Sequence, residues 1–250
     1  MDKVALITGA SKGIGKEISI ELAKNKIKLI LVSRNYNDLK ILKKIIKEKI
    51  NFKYVEIISG DVSHSSTVTK VLKLCRKTYG LPDIVVNNTG GPPSGSFKNF
   101  KLEDWNKALK NNLLSVINFT NEFHKGMVKK KWGRFITISS TIAKEPTSNM
   151  VMSATLRSGV SAFNKAISFD LAKYKITVNT ILLGGVKTGR LYKLIKKNSK
   201  KKGMSYSKYL KNVESSIPIG RFAEPKEISD LVGFLISDKG SYITGQNIII

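Results

Sequence analysis

Glycines close to the N-terminus are spaced so that the chain could close around a phosphate group. The run from Thr8 to Gly15, TGASKGIG, follows a short apolar segment and precedes a stretch of helical period. Glycines in the order G-x-x-x-G-x-G allow a tight turn and a close approach to a pyrophosphate, and the helix N-terminus offers it free N–H groups and a partial positive charge. A plain strand-to-helix turn is the alternative, and the strand before and the helix after argue against it. The run therefore predicts a dinucleotide site formed by Gly9, Ser11, Lys12, Gly13, Ile14 and Gly15.

The end of the second apolar run bears on which dinucleotide would bind. Ser33 and Arg34 stand where an NAD enzyme usually has an acidic residue that binds the ribose 2′-hydroxyl, whereas an arginine accommodates a 2′-phosphate. Lys12 adds a second cation from the glycine run. The pattern favours NADP(H) over NAD(H), and an incidental arginine in a basic chain is the alternative.

Seven short apolar runs alternate with segments of helical period and would hold these motifs in place. Continuous apolar strands separated by helices imply a parallel sheet that is covered on both faces. The sequence therefore predicts a single α/β domain, residues 1–250, built on a doubly wound parallel seven-stranded sheet of the Rossmann type. Residues 188–217, where the alternation lapses, are expected to form a mobile lid. The expected strands are Val4–Thr8, Lys28–Val32, Tyr54–Ile58, Ile84–Asn87, Arg134–Ser139, Thr177–Leu182 and Asn247–Ile250, and the expected helices lie near 14–25, 36–50, 65–79, 103–130, 149–173 and 225–237.

The chain is strongly basic, with 44 Lys and Arg against 18 Asp and Glu and a formal charge of +26. Such a field attracts anions, and a lysine-rich composition alone would also produce it. No basic motif with interleaved aromatics predicts nucleic-acid binding, no apolar run is long enough for a bilayer, and the first strand begins too early for a signal peptide. One cysteine, Cys75, excludes an intrachain disulfide or a Cys-rich metal site. We therefore expect a cytoplasmic protein with no metal, no membrane and no nucleic-acid partner.

These features, in this order, resemble the short-chain dehydrogenase/reductase family over essentially all 250 residues. Further stretches carry the resemblance: Asp61-Val62 after the third strand, Asn87-Asn88-Thr89-Gly90 after the fourth, Asn112 in a long helix and Ser140 at the end of the fifth strand. The resemblance implies an oxidoreductase, nearest to 3-oxoacyl-carrier-protein reductases, whose catalytic set includes Asn112 and Ser140. It also implies a homodimer or homotetramer formed through the long helices and the seventh strand. The further cofactor contacts that it implies are Asp61, Val62, Asn88, Thr89, Gly90, Gly184, Val186 and Thr188.

The resemblance breaks at the residues that would transfer a proton. The family has Tyr-x-x-x-Lys thirteen residues after its serine, and counting from Ser140 these positions hold Ser153 and Arg157. A serine hydroxyl is a far poorer acid than a phenol, and an arginine is effectively never deprotonated. Both residues are still expected in the catalytic site, with Arg157 as a cation that binds the cofactor ribose or polarises a carbonyl. A second departure is Leu183, in place of the family's proline. The chain resembles a divergent subgroup that lacks the Tyr and Lys pair, through this serine-to-arginine spacing, the loop Gly90–Gly95 and the run Ser215–Pro218.

Three functions fit this sequence. The first is an NADP(H)-dependent oxidoreductase of a carbonyl/alcohol pair, whose small-molecule substrate is anionic, carrier-linked or 3-oxoacyl-like. Its proton would come from water, from the substrate or from a tyrosine of the lid, namely Tyr192, Tyr206 or Tyr209. The second is an NADP-binding sensor or assembly subunit that has lost turnover. The third is a lyase or epimerase that uses the dinucleotide without net redox change.

Overall fold

Seven parallel strands form one sheet in residues 3–250, the part of the chain that the computed structural model describes. Their order across the sheet is β3-β2-β1-β4-β5-β6-β7, so the direction of winding reverses between β1 and β4. Ligands of such sheets bind in the crevice at the carboxyl ends of the strands where the order reverses. The expected fold class is confirmed, and every expected strand end lies within one residue of the observed one. The strands are β1 Val4–Thr8, β2 Lys28–Ser33, β3 Val55–Ser59, β4 Ile84–Asn88, β5 Gly133–Ile138, β6 Ile176–Leu182 and β7 Asn247–Ile249.

Helices cover both faces of the sheet, and three on each face bury apolar side chains against it. The helices are α1 Gly13–Lys24, α2 Tyr36–Lys49, α3 Ser65–Lys77, α4 Leu102–Leu109, α5 Ser115–Lys130, α6 Val151–Ala172, α7 Gly189–Lys201, α8 Tyr206–Ser215 and α9 Pro225–Ile236. Successive side chains of a strand point to opposite faces, so Ile7 packs with α1, α2 and α9 whereas Leu6 packs with α3, α5 and α6. The two cores fix the sheet between two helical layers and leave its carboxyl edge to the loops.

The helix expected over 103–130 is interrupted. A π-helical turn, Lys110–Leu114, separates α4 from α5, and the helical path continues through it. Short π-turns inside α-helices are frequently found at functional sites. Here the wider turn holds Asn112, which is 5% exposed and donates through Nδ2 to the Ala108 carbonyl oxygen at 3.1 Å.

The segment 188–217 contains two helices, α7 and α8, that its lysine-rich sequence did not predict. Leu191, Leu194 and Ile195 face inward while Lys193, Lys196 and their neighbours are exposed, which is the pattern of an amphipathic surface helix. The many lysines of this segment made the helical spacing of its apolar residues hard to recognise in the sequence. That the segment moves as a lid stays a prediction.

Cys75 lies on the buried face of α3, where it packs against the sheet. Burial raises the pKa of its thiol to about 12, so the reactive thiolate is scarce at neutral pH.

Within residues 3–250, none of the helices combines the length and the apolar character that crossing a bilayer requires.

Candidate functional site

The glycine run forms the turn between β1 and α1 at the point where the sheet order reverses. Gly9 and Gly13 have φ angles of 56° and 53°, a left-handed conformation that disfavours other residues. A Cβ on Gly9 would overlap the Asn88 carbonyl oxygen, and a Cβ on Gly13 would meet only Thr188, at 3.4 Å. The first turn of α1 carries no acidic side chain. The start of this helix is therefore open to an anion.

Asn88 ties the end of β4 to this turn. Its side-chain Nδ2 donates to the carbonyl oxygens of Thr8, at 3.3 Å, and Gly9, at 3.1 Å. The Thr8 hydroxyl accepts from the Asn88 backbone N–H at 2.9 Å. The sequence predicted Asn88 as a cofactor contact. In the structure its amide holds the glycine turn in position, a role that spacing along the chain could not show.

Ser11 and Ser33 meet at the outer side of the turn, where their hydroxyl oxygens are 2.8 Å apart. Arg34 follows and is exposed. Lys12 forms an ion pair with Asp38 of α2, with 2.8 Å between Nζ and Oδ2. The structure thus places the three residues predicted to select the cofactor, Lys12, Ser33 and Arg34, at the outer side of the turn, and it adds an acidic neighbour, Asp38, that the sequence did not indicate.

Asp61 and Val62 follow β3 on the same side of the site and are half-buried. Partial burial acts to raise the pKa of the Asp61 carboxyl. Hydrogen bonds from the Ser63 backbone N–H (3.0 Å) and hydroxyl (2.8 Å), together with the nearby Arg34 cation, outweigh it and hold this pKa below its usual value. The loop is therefore fixed with Asp61 charged at neutral pH.

A small polar cavity lies beyond the carboxyl ends of β4 and β5. It offers about 10 Å³, the space of a single water molecule. Among the residues that the structure describes, Asn87 Nδ2, Thr137 Oγ1 and Ser139 Oγ are buried without a hydrogen-bond partner, and all three residues line this cavity. Buried polar atoms normally have partners, so the cavity is suited to a polar guest. Its lining residues are Asn87, Thr89, Asn112, Val116, Thr137, Ile138, Ser139, Arg157 and Val160.

Arg157 enters this cavity from α6. Its Nη1 donates to the Ile138 carbonyl oxygen at 3.4 Å, and protein surrounds the guanidinium although the residue as a whole is only half-buried. Burial, and next the nearby Arg190 cation, lower the pKa of Arg157 to about 10. The group remains a cation at neutral pH. Ser153 lies one helical turn earlier and is 2% exposed.

The serine that faces the cavity is Ser139, one residue before the predicted Ser140. Ser140 is half-buried, and its Oγ accepts a 3.4 Å hydrogen bond from the Ile142 backbone N–H at the turn after β5. Thr137 and Ser139 lie on one face of the chain because side chains alternate along a strand. That alternation could have identified Ser139 in advance.

The segment after β6 approaches the glycine turn from the other side. The Gly184 N–H donates to the Ile250 carbonyl oxygen at 2.8 Å, and Val186 is buried beside Ala223. Thr188 caps α7 through its hydroxyl and faces Gly13. Of the three predicted contacts, Thr188 is therefore the one that meets the glycine turn, and Gly90, after β4, is exposed nearby.

The tyrosines proposed as proton donors are not engaged with this site. Tyr192 and Tyr206 are 41% and 40% exposed, and Tyr209 lies against Lys202. In the described part of the chain, none of the three phenols hydrogen-bonds to Ser153 or Arg157.

Comparisons with known proteins agree with this geometry. A profile of the short chain dehydrogenase family matches residues 3–199. The chain is 36% identical over 246 residues to FabG, a 3-oxoacyl-[acyl-carrier-protein] reductase of Buchnera aphidicola subsp. Baizongia pistaciae, covering 98% of this chain and 94% of that protein. It is 30% identical to the NADPH-dependent reductase BacG of Bacillus subtilis, with 98% and 95% covered. The structure of an actinorhodin polyketide ketoreductase with NADPH has a TM-score of 0.95 at 27% identity, covering 100% of this chain and 95% of that one.

Proposed function

The chain belongs to the short-chain dehydrogenase family, and from this premise we propose that it is an NADP(H)-dependent oxidoreductase of a carbonyl/alcohol pair with non-standard proton delivery. The observation that carries the proposal is the glycine turn, whose φ angles at Gly9 and Gly13 leave the start of α1 open to a pyrophosphate. Two relatives support the same cofactor: BacG is named as NADPH-dependent, and the ketoreductase structure holds NADPH.

The residues around the turn fit a bound NADP(H). The turn is so tight at Gly9 that only a glycine is accommodated there, and the space beside Gly13 is open as far as Thr188. When bound, the cofactor supplies or accepts the hydride. The backbone amides of Gly13, Ile14 and Gly15 would bind the pyrophosphate, and Lys12, Ser33 and Arg34 the 2′-phosphate. The remaining proposed contacts are Asp61 and Val62 for adenine, Thr89 and Gly90 for ribose, and Gly184, Val186 and Thr188 for the nicotinamide end.

Arg157 and Ser140 would act on the substrate oxygen without donating the transferred proton themselves. The Arg157 cation stabilises negative charge that develops on that oxygen, and the Ser140 hydroxyl donates a hydrogen bond to it. Ser153 is a poor donor because its hydroxyl is weakly acidic and the residue is nearly inaccessible. Water or the substrate would supply the proton, and a phenol of the segment 188–217 could do so only after that segment moves.

Replacing Arg34 with alanine is expected to weaken NADPH binding about 10-fold, since one charge-assisted hydrogen bond to the 2′-phosphate is lost. NADH, which lacks this phosphate, should bind the variant as it binds the native protein. Titration of each nucleotide by the rise in nicotinamide fluorescence gives both dissociation constants. In the native protein NADPH should bind the more tightly.

Arg76→Ala is the matched control, because Arg76 is an exposed arginine on α3, outside the site. It should leave both constants unchanged. Equal affinity of the native protein for NADPH and NADH would contradict the assignment of Ser33 and Arg34.

A second candidate is an NADP-binding sensor without turnover, which the near-complete burial of Ser153 and the missing tyrosine favour. A screen of 3-oxoacyl thioesters, quinones and steroid-like ketones for NADPH consumption separates the two. Consumption with any class supports the oxidoreductase. Tight NADPH binding without consumption supports the sensor, and exchange or elimination without consumption would indicate an epimerase or lyase.

We also propose that the chain forms a homodimer or homotetramer through α4, α5, α6 and β7. Leu102 and Phe169 on these helices are 71% and 70% exposed, and Ile249 at the end of β7 is 54% exposed. These side chains lie on the elements through which the family resemblance implies assembly, and a subunit interface there would cover them. Light scattering should give two or four times the chain mass, and a monomer at micromolar concentration would contradict the assignment.

A further inference from the structure

Two arginines from different helices converge on the loop that follows β4. Arg190, in the first turn of α7, folds back over this loop, and its Nη1 and Nη2 donate to the carbonyl oxygens of Gly91, at 3.0 Å, and Pro92, at 3.4 Å. Arg157 reaches the same loop from α6. A Cβ on Gly91 would lie 2.8 Å from Arg190 Nη2 and 3.0 Å from Arg157 Nη2. The two nitrogens are therefore at most about 6 Å apart, a separation that one bidentate anion can bridge.

Among the residues that the structure describes, no carboxylate forms an ion pair with either of these cations. In residues 3–250 their hydrogen bonds go only to backbone carbonyls, those of Ile138, Gly91 and Pro92. Like charges held together in a partly desolvated place repel each other, and the pKa of Arg157 is lowered partly for this reason. An acid group bound between the guanidiniums would remove the repulsion and satisfy their remaining donors.

The location of Arg157 and Arg190 within the site indicates which anion would bind to them. Arg157 also lines the cavity with Asn112 and Ser139 and lies one turn from Ser153, so the pair borders the part of the site where a substrate would react. The pyrophosphate of the cofactor is already provided for at the start of α1, around Gly13. The two arginines are thus available to a second acidic group.

We propose that Arg157 and Arg190 form an anion site at Gly91 that binds the carboxylate or phosphate of the small-molecule substrate. This inference rests on the proposed oxidoreductase function and narrows its substrate to a carbonyl compound or alcohol that carries an acid group. Guanidiniums suit this task because their planar donors match the two oxygens of such a group.

The test measures binding of small acids with and without the cofactor. Inorganic phosphate and pyruvate serve as probes, and their affinities are read from the rise in the unfolding temperature, first for the protein alone and then with saturating NADPH. Arg190→Gln should weaken the binding of the probes about 10-fold, because one charge-assisted pair is lost, and should leave the dissociation constant of NADPH unchanged.

Two further variants separate a specific site from general attraction to a basic protein. Lys193→Gln removes one positive charge from an exposed position of the same helix and should change nothing. Gly91→Ala keeps both charges but puts a methyl group against both guanidiniums, so it should also weaken the binding of the probes. Circular dichroism spectra that match the native protein show that each variant has folded.

Three results would overturn the proposal. In the first, Arg190→Gln weakens the binding of NADPH and not that of the probes, which would mean that the two arginines bind the diphosphate of the cofactor. In the second, Lys193→Gln weakens the binding of the probes as much as Arg190→Gln does, which would indicate general attraction to a basic surface. In the third, neither probe binds more tightly to the native protein than to Arg190→Gln and Gly91→Ala. A protein that binds the probes at Arg190 but ignores NADPH would contradict the proposed function and leave the anion site standing.

Discussion

Gly9→Ala is expected to weaken NADPH binding at least about 100-fold, because several charge-assisted hydrogen bonds to the pyrophosphate depend on the turn that Gly9 makes. An alanine would have to hold a φ of 56°, which costs about 1–2 kcal/mol, and its Cβ would overlap the Asn88 carbonyl oxygen. The turn must open to relieve that contact, and the first amides of α1 then move away from the phosphates. Nicotinamide fluorescence gives the affinity, and urea unfolding gives the loss of stability, about 2 kcal/mol or more.

Gly80→Ala is the matched control. Gly80 has a φ of 83° with nothing within 4 Å of a Cβ, and it lies between α3 and β4 at the opposite edge of the sheet. It should cost about 1–2 kcal/mol of stability and leave NADPH affinity intact. Gly13→Ala, which keeps more space around its Cβ, tests the same turn if Gly9→Ala fails to fold. Native affinity in both Gly9→Ala and Gly13→Ala would refute the phosphate turn.

Ser153→Tyr combined with Arg157→Lys is expected to raise the rate of NADPH-dependent reduction of a simple ketone by about 100-fold or more, the usual contribution of a positioned general acid. Residues four apart lie on the same face of a helix, so a lysine at 157 can reach and acidify a phenol at 153. The smaller lysine also frees space near the cavity for the larger tyrosine. Loss of absorbance at 340 nm, followed against pH, gives the rate and the apparent pKa of the new acid.

The two single variants are the controls for this pair. Because the phenol and the ammonium act as a unit, each single change should give much less than the double change. NADPH affinity, measured beside each rate, shows that the cofactor site is intact. A native protein that already reduces the ketone as fast as the double variant would show that its own proton delivery is adequate and that our account of it is wrong.

Much of the fold follows from local pattern. Apolar runs such as Val4–Thr8 and Lys28–Ser33 are buried on both faces, and a strand of that kind has little alternative to a parallel sheet. The glycine turn was predictable because left-handed backbone and close approach demand glycine, and both are found at Gly9. The helices α7 and α8 were missed because lysines dominate the composition and hide the buried positions, of which Ile195 is the clearest.

The candidate site was predicted less completely because much of it is assembled from distant parts of the chain. Arg190 and Gly91 are 99 residues apart in sequence and hydrogen-bond only because α7 returns over the β4 loop. Asp38 meets Lys12 by the same kind of tertiary contact. No spacing rule links such pairs, whereas Ser139 could have been found from strand alternation alone.

The π-turn at Lys110–Leu114 has a consequence for how this site can change by insertion and deletion. A π-turn holds one residue more than an α-turn, so the loss of one residue there would leave a continuous α-helix with α4 and α5 still packed where they are. Asn112 lies in this wider turn and lines the cavity, so such a deletion is expected to move its side chain away from the cavity wall. The number of residues in this turn, and not only their identity, therefore determines the geometry of the site. A one-residue deletion here is expected to abolish an activity that single substitutions would only reduce.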